Sequence, residues 1–335
     1  MKPRTLLVVL TLALPAALLV AILLGAVALP PAGVFAALVG QGDDARLGLI
    51  VQHIRAPRAV LTALVGALLA VCGAAMQGLF RNPLADPSLI GVTAGASAGA
   101  SLAIVFGGAL SGLAGLSLVS LGAFAGGTLA VIVVYRLATD AAGTSVATML
   151  LAGIAIGAIA GSLSSLLEFY ASNDMLRRIS LWRMGGLDGA NWPRVAIVAA
   201  VAVVILGVLP AQANALNALL LGESEARHLG VAVDAVKRRL VLLAAAGVGV
   251  SVAVAGAIAF VGLVVPHVVR MLIGPDHRGL LPASALAGAV LLLAADTLAR
   301  LVIAPSELPV GLLTALLGAP FFISLLRRRR EYGMP

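Results

Sequence analysis

Among 335 residues there is one cysteine, Cys72, and it lies inside an apolar run. A lone thiol excludes an intrachain disulfide and a thiolate metal cluster, which leaves Cys72 as a small packing residue. The histidines, His53, His228, His267 and His277, are scattered, without HExxH or an i, i+4 pair, so the spacing of a zinc hydrolase is missing. Lysine occurs only as Lys2 and Lys237, so no glycine-rich turn ends in Lys-Ser/Thr to hold a nucleotide's phosphates. Charged residues make up 11% of the chain, against about a quarter in a soluble globule. An ion-coupled carrier needs ionisable groups at mid-membrane. The acids here sit in loops or, like Asp86, Glu168 and Asp296, near the ends of apolar runs. No nucleophile, metal set or pair of mid-membrane carboxylates suggests catalysis, and the chain reads as something other than an enzyme.

What is present is apolar sequence, 61% of the residues, with 38 glycines. About 20 residues of helix cross a bilayer core. The predicted spans are Thr5–Leu29, Arg58–Gln77, Ser88–Phe106, Leu116–Leu137, Val146–Leu167, Val195–Leu209, Leu240–Ala259, Val261–Ile273, Leu281–Val302 and Pro309–Leu326. Val195–Leu209 and Val261–Ile273 are short, as spans are where they are buried in protein or line a cavity. Thr5–Leu29 is too long for the apolar core of a secretory signal and reads as a retained first span. The expected fold is an all-α polytopic membrane protein, one permease domain over 1–335 with about ten transmembrane helices. Gly/Pro-broken polar turns between small-residue helices recur in the second to fifth and the seventh to tenth spans, an offset that predicts an inverted repeat. Glycines at positions 91, 95 and 99 share a helix face and predict close helix contact. Asp86 before Pro87, and Ser306 before Pro309, are expected helix caps.

An even number of spans puts both termini on one side. Lys2, Arg4 and Arg327–Arg330 mark it as cytoplasmic by the positive-inside rule. The net charge of +8 sits at span ends and termini, where topology and anionic membrane lipid account for it without nucleic acid. Against that bias, Arg46, Arg55, Arg58, Arg177, Arg178, Arg183, Arg194 and Arg300 fall outside, either as snorkelling span ends or as a basic rim for an acidic partner. Asp296 and Arg300, one helical turn apart, are placed to neutralise each other.

The longest interior polar stretch is Leu221 to Arg239, LGESEARHLGVAVDAVKRR. Glycines 222 and 230 bracket a short predicted helix with Glu223 and Glu225 in its first turn and Arg227 and His228 in its last, as the helix dipole favours. Lys237-Arg238-Arg239 reads as a basic collar before the next span. A transporter with neither a nucleotide site nor an ion site needs an outside motor, and residues 221–239 are the element through which a cytoplasmic ATPase could push.

Three segments carry a family resemblance over nearly the whole chain: RAPR…NPLADPSLIGVTAGASAGA from Arg55, GAIAFVGLVVPHVVRMLIGPDHRG…DTLAR from Gly256, and ELPVGLLTALLGAPFFISLLRR from Glu307. The chain resembles the FecCD-type permeases of ABC importers for iron chelates, haem and vitamin B12. The resemblance implies a vitamin B12 permease-like fold in the bacterial inner membrane. It implies a second copy of the chain, two cytoplasmic ABC ATPase subunits and a periplasmic substrate-binding protein as partners. ATP and Mg would sit on the ATPase, with no cofactor on this chain. The cargo would be an iron complex, ferric siderophore or haem, with a corrinoid as the alternative and an ion-coupled carrier as the rival class. By position, Arg55, Arg58 and Arg300 correspond to arginines that dock the binding protein. Glu223, Ala226, Arg227, Leu229, Gly230 and Val231 correspond to the coupling helix. Asn82 and Leu84, with Thr144, Ser145 and Thr148, correspond to a cytoplasmic gate. The segment Phe169–Trp192 corresponds to the outer vestibule, its aromatics forming either an interfacial belt or a stacking surface.

Overall fold

The structure is a computed structural model that describes residues 1–41, 44–107, 113–141 and 143–331. In chain order it holds α1 (Pro3–Leu23), α2 (Pro31–Leu38), α3 (Ala45–Leu49), α4 (Ala56–Leu79), α5 (Val92–Phe106), α6 (Leu113–Leu137) and α7 (Val146–Tyr170). There follow α8 (Asn173–Met184), α9 (Trp192–Ala211), α10 (Ala213–Leu220), α11 (Glu223–His228), α12 (Val233–Ala255), α13 (Val261–Ile273), α14 (His277–Leu301) and α15 (Val310–Glu331). One small antiparallel hairpin, β1 (Thr139–Asp140) with β2 (Gly143–Thr144), stands between α6 and α7.

Seven helical stretches are long and apolar enough to cross a membrane, and Val92–Phe106, Val261–Ile273 and Val310–Ser324 are shorter apolar helices. Together they match the predicted spans one for one. Two differences have local causes. The ninth helix is a full span rather than a short one, because the Asn191 side chain accepts the Arg194 N–H at 3.0 Å and Pro193 sits in the first turn, starting the helix at Trp192. The second span begins earlier than Arg58, since α3 runs into α4 through a π-helical segment, Ile50–Arg55. Pro57 has no N–H to return to the preceding turn, and the wider turn absorbs the gap. Asp86 caps as expected, accepting the Ser88 N–H at 2.8 Å, but what it starts is a short 3₁₀ turn, Pro87–Ile90. Gly91 then turns the chain into α5 with φ +80°. Ser306 caps nothing among the described residues, its N–H going to Ile303 O.

α4 is the central post. Over its membrane window 83% of its residues are buried, whereas the figure is 17% for α1 and for α7, which stand at the periphery. Small residues let α4 approach its neighbours backbone to backbone. A Cβ on Gly66 or Gly288 would strike the other's carbonyl oxygen, tying α4 to α14, and one on Gly73 would strike Gly262 O of α13. Gly95 and Gly99 of α5 meet Gly126 and Gly122 of α6 in the same way. The expected small-residue face therefore exists, with Gly91 diverted to the turn. Gly288→Ala is expected to cost about 1–3 kcal/mol by forcing α4 and α14 apart, read as a lower melting temperature of the purified protein.

Between α12 and α13 the chain is non-helical at membrane depth. Gly256 has φ +67° and lies on the Trp182 carbonyl, and Phe260, also at φ +67°, starts α13 with its ring against Gly318 of α15. Neighbouring backbone closes around it: Gly186 N–H donates to the last carbonyl of α12, Ala255 O, at 2.8 Å and Gly311 N–H to Gly185 O at 3.3 Å. Irregular backbone at this depth is tolerated only when enclosed in this manner.

Candidate coupling, gating and docking sites

On one face of the bundle the surface element predicted at 221–239 comprises α11 and the start of α12, and α10 precedes α11 there. Gly222, at φ +119°, turns the chain between α10 and α11. α11 closes with a Schellman motif: Gly230, at φ +80°, donates to Arg227 O at 2.9 Å, and Val231 N–H to Ala226 O at 3.0 Å. Glu223 and Glu225 occupy its first turn, Arg227 and His228 its last. Ala226 is its one buried residue, while Leu221 and Leu229 on either side are 67% and 65% exposed. The helix thus offers an apolar edge outward and touches the body through a methyl group.

α10 fastens this element to the α13–α14 turn. Asn217 Nδ2 donates to Asp276 at 2.6 Å, its Oδ1 accepts from the His277 N–H at 2.9 Å, and Arg278 Nε donates to Asn214 at 2.8 Å. Asp276 lies below the usual carboxylate range because the Arg278 N–H and the Asn217 amide both donate to it. The N-terminus sits on the same face, the Met1 ammonium donating to Leu272 O at 2.9 Å.

The proposed gate residues fall in two groups, Asn82 and Leu84 in the turn after α4 and Thr144, Ser145 and Thr148 at the start of α7. Asn82 is exposed and its Oδ1 holds the Leu84 N–H at 2.9 Å, fixing the turn after α4. Leu84 is half-buried and faces Leu263, His267, Phe321 and Phe322. Thr144 is buried, bonded through Oγ1 to Thr139 and the Tyr135 hydroxyl. Ser145 caps α7 by accepting the Thr148 N–H at 3.2 Å, and Thr148 Oγ1 donates to Ser145 Oγ at 2.9 Å. Ser145 and Thr148 are exposed.

Two residues outside the predicted coupling and gate sets join these groups. Lys237, read as part of a basic collar, is 1% exposed: its Nζ pairs with Glu223 at 2.7 Å and donates to Thr144 O at 2.5 Å. Asp234 pairs with Arg227 at 3.2 Å and accepts the Thr144 N–H at 3.2 Å. The signal was available in the helical period, since Lys237 falls on the stripe of Val233, Val236, Leu240 and Val241, whereas Arg238 and Arg239 face out.

On the opposite face Arg55, Arg58 and Arg300 do come together, but not as an open rim. Asp296, 2% exposed at its side chain, takes Arg58 at 2.9 Å and Arg300 at 3.1 Å, the latter the expected i, i+4 pair. Arg58 Nη1 also holds Glu307 at 2.7 Å. Arg300 donates to Leu24 O at 2.8 Å and Ala21 O at 2.9 Å; Arg55 donates to Ile22 O at 2.9 Å, Leu23 O at 2.8 Å and Val27 O. These carbonyls belong to the end of α1, and their capture by guanidinium groups stops that helix at Leu23. Arg55 and Arg300, 6% and 5% exposed, are turned inward, and Arg58, 11% exposed at its side chain, bonds the half-exposed Glu307. Beside them a cavity of about 500 Å³ is lined by Arg58, Arg178, Trp182, Asp188, Arg194 and Glu307. Phe169 and Tyr170 are exposed edge-to-face at 5.2 Å, and Trp192 Nε1 donates to Gln52 O at 2.8 Å.

The chain is similar to known proteins over nearly its whole length. The model of the FecCD transport family matches residues 11–328. The hemin transport system permease protein of Yersinia pestis is 49% identical over 281 residues, covering 83% of each chain. The cobalamin import system permease protein of Halobacterium salinarum is 46% identical over 299 residues, 88% of this chain and 78% of that one. A solved chain, described as an inward-facing conformation of an ABC transporter assigned to the metal-chelate type, superposes with a TM-score of 0.86 at 31% identity over 97% of this chain and 99% of that one.

Proposed function

The chain belongs to the FecCD transport family, and from that premise we infer that it is the permease subunit of an ATP-driven importer carrying an iron complex, with haem as the leading cargo. Two copies would face each other across the inner membrane of a bacterium, with both termini, α10 and α11 on the cytoplasmic side. Two ABC ATPase subunits bind there and hold the ATP and Mg, since this chain has no phosphate-binding loop. A periplasmic binding protein delivers the cargo.

The observation that carries this reading is the build of α11. Its outer edge is exposed and apolar, and two of its charged residues, Glu223 and Arg227, pair with Lys237 and Asp234 of α12, which bond the turn before α7. That is how a helix driven by a separate motor should be held. α7 in turn exposes Thr148, Ala155 and Ser162, seven residues apart on one face. The same outer surface also carries Leu151, Ile154 and Ile159, 69%, 65% and 64% exposed, so α7 meets its surroundings with a mixed surface of small and large apolar residues. Ion coupling is disfavoured because Asp296, the one buried carboxylate among the described residues, is neutralised by Arg58 and Arg300. A corrinoid is the second reading, supported by the 46% identity to a cobalamin permease.

Co-expression with a cognate ATPase and binding protein tests the assignment. Co-elution of all three is expected, and titration of the binding protein with hemin, a ferric siderophore and cyanocobalamin should show one tight ligand, hemin. A permease that elutes alone would remove the importer reading.

For docking on the outer face, Arg58 is the residue an acidic partner side chain can reach, by competing with Glu307. Arg55 and Arg300 contribute from beneath by fixing α1 and Asp296. Glu307→Gln frees one edge of Arg58 and is expected to tighten binding-protein docking by up to about fivefold, the worth of about 1 kcal/mol for an exposed pair. The gain should vanish at high salt. Unchanged affinity at low salt would take Arg58 out of the docking face.

A further inference from the structure

Two side chains that hold α11 also meet the backbone of one residue, Thr144. Its N–H goes to Asp234 and its C=O to Lys237, both side chains of α12. The far ends of those two side chains are held by α11, Lys237 by Glu223 in the first turn and Asp234 by Arg227 in the last. We propose that Lys237 and Asp234 form a two-point grip through which displacement of α11 is carried to Thr144 and so to the foot of α7. The inference deepens the importer reading and rests on it.

The grip has an unequal construction. The Lys237 ammonium is 1% exposed, and a buried cation without partners is strongly unfavourable, so its bonds to Glu223 and Thr144 O must persist as α11 moves. The Arg227–Asp234 pair is about half exposed on both sides, 50% and 48%, and such pairs exchange readily with water. Lys237 is thus the fixed linkage and Asp234 the releasable one. Gly143 shows how closely the hairpin is pressed to it: at φ +118°, a Cβ there would lie 2.7 Å from Asp234 Oδ1. The residue after Thr144, Ser145, caps α7, and Thr148 lies within the helix's first turn, so a shift of the peptide is a shift of the helix start. α11 itself has one buried residue, Ala226, and apart from that contact it is held by charge. Lys237 and Asp234 are therefore positioning residues, acting through Thr144.

The test uses the complete importer, permease with ATPase and binding protein, in nanodiscs and proteoliposomes, with hemin and cyanocobalamin as the transported probes. In a Cys72→Ala background, Thr148→Cys reports the foot of α7 by its rate of maleimide labelling. We expect ATP to change that rate at least threefold when Lys237 is present and to leave it unchanged in Lys237→Met. ATP consumed per molecule imported should rise at least tenfold in Lys237→Met, and Lys237→Arg should restore much of both effects, which a loss of fold would not permit. Asp234→Asn, at an exposed pair that does not threaten folding, should give the same two changes in smaller measure. Lys237→Met or Asp234→Asn complexes that keep both the labelling response and the parental ATP cost would overturn the grip. A parent complex that imports neither probe with ATP would instead strike the importer reading, and the grip with it.

Discussion

Replacing Asp296 by Asn is expected to destabilise the protein by about 3–5 kcal/mol, because it leaves Arg58 and Arg300 as buried cations without their shared counter-ion. Asp296 is 2% exposed at its side chain and touches both guanidinium groups, while Glu307, the second acid near Arg58, is 37% exposed and pairs directly with Arg58. The damage should reach α1, whose last carbonyls are held by Arg300 and Arg55. Thermal unfolding followed by size-exclusion of the detergent-purified protein gives the reading, with Glu307→Gln as the matched control. That control should stay within about 1 kcal/mol of the parent. Pairing Asp296→Asn with Arg58→Met should cost less than the sum of the two single changes, since the double variant removes charge of both signs. Equal melting of Asp296→Asn and Glu307→Gln would mean that the cluster is a surface feature and not an internal tie.

The second large effect is expected at Leu229. Its side chain is 65% exposed at the end of α11 and packs on nothing that a substitution would disturb, so Leu229→Asp should alter stability by no more than about 0.5 kcal/mol. An apolar residue at the centre of a motor interface behaves otherwise. Burying a carboxylate there removes a contact worth about 2 kcal/mol or more, a loss of about thirtyfold or greater in ATPase affinity. The variant should purify in normal yield, fail to retain the ATPase through gel filtration, and import at a few per cent of the parental rate. Full ATPase retention by Leu229→Asp would place the motor elsewhere than α11.

Much of the architecture could be read from the residues alone, because lipid imposes simple rules on length and polarity. The span Val261–Ile273 was read to the residue, and the helix at 223–228 from its flanking glycines and the order of its charges. The local caps were less legible. Asn191-Trp-Pro carries an ordinary start signal, yet an apolar window gives no weight to it, and the ninth helix was read short. Side-chain pairing across distant segments was not legible at all. Arg55 lies 28 to 33 positions from the carbonyls it captures, and Lys237 lies 93 positions from Thr144. Composition places such cations at a span end, facing headgroups or a partner protein. Only the packed helices reveal that an α1 terminus or a hairpin carbonyl was already there to meet them. The positive-inside rule counts Lys237 with Arg238 and Arg239, and a helical wheel separates it from them.

The central claim, that this chain is a passive path driven by a separate ATPase, is tested most directly by hemin uptake into proteoliposomes containing the permease, its ATPase and the hemin-loaded binding protein. Uptake should require ATP on the ATPase side, cease when the ATPase is omitted, and remain absent under a proton or sodium gradient alone. Accumulation of hemin driven by an ion gradient in vesicles without ATPase would contradict it.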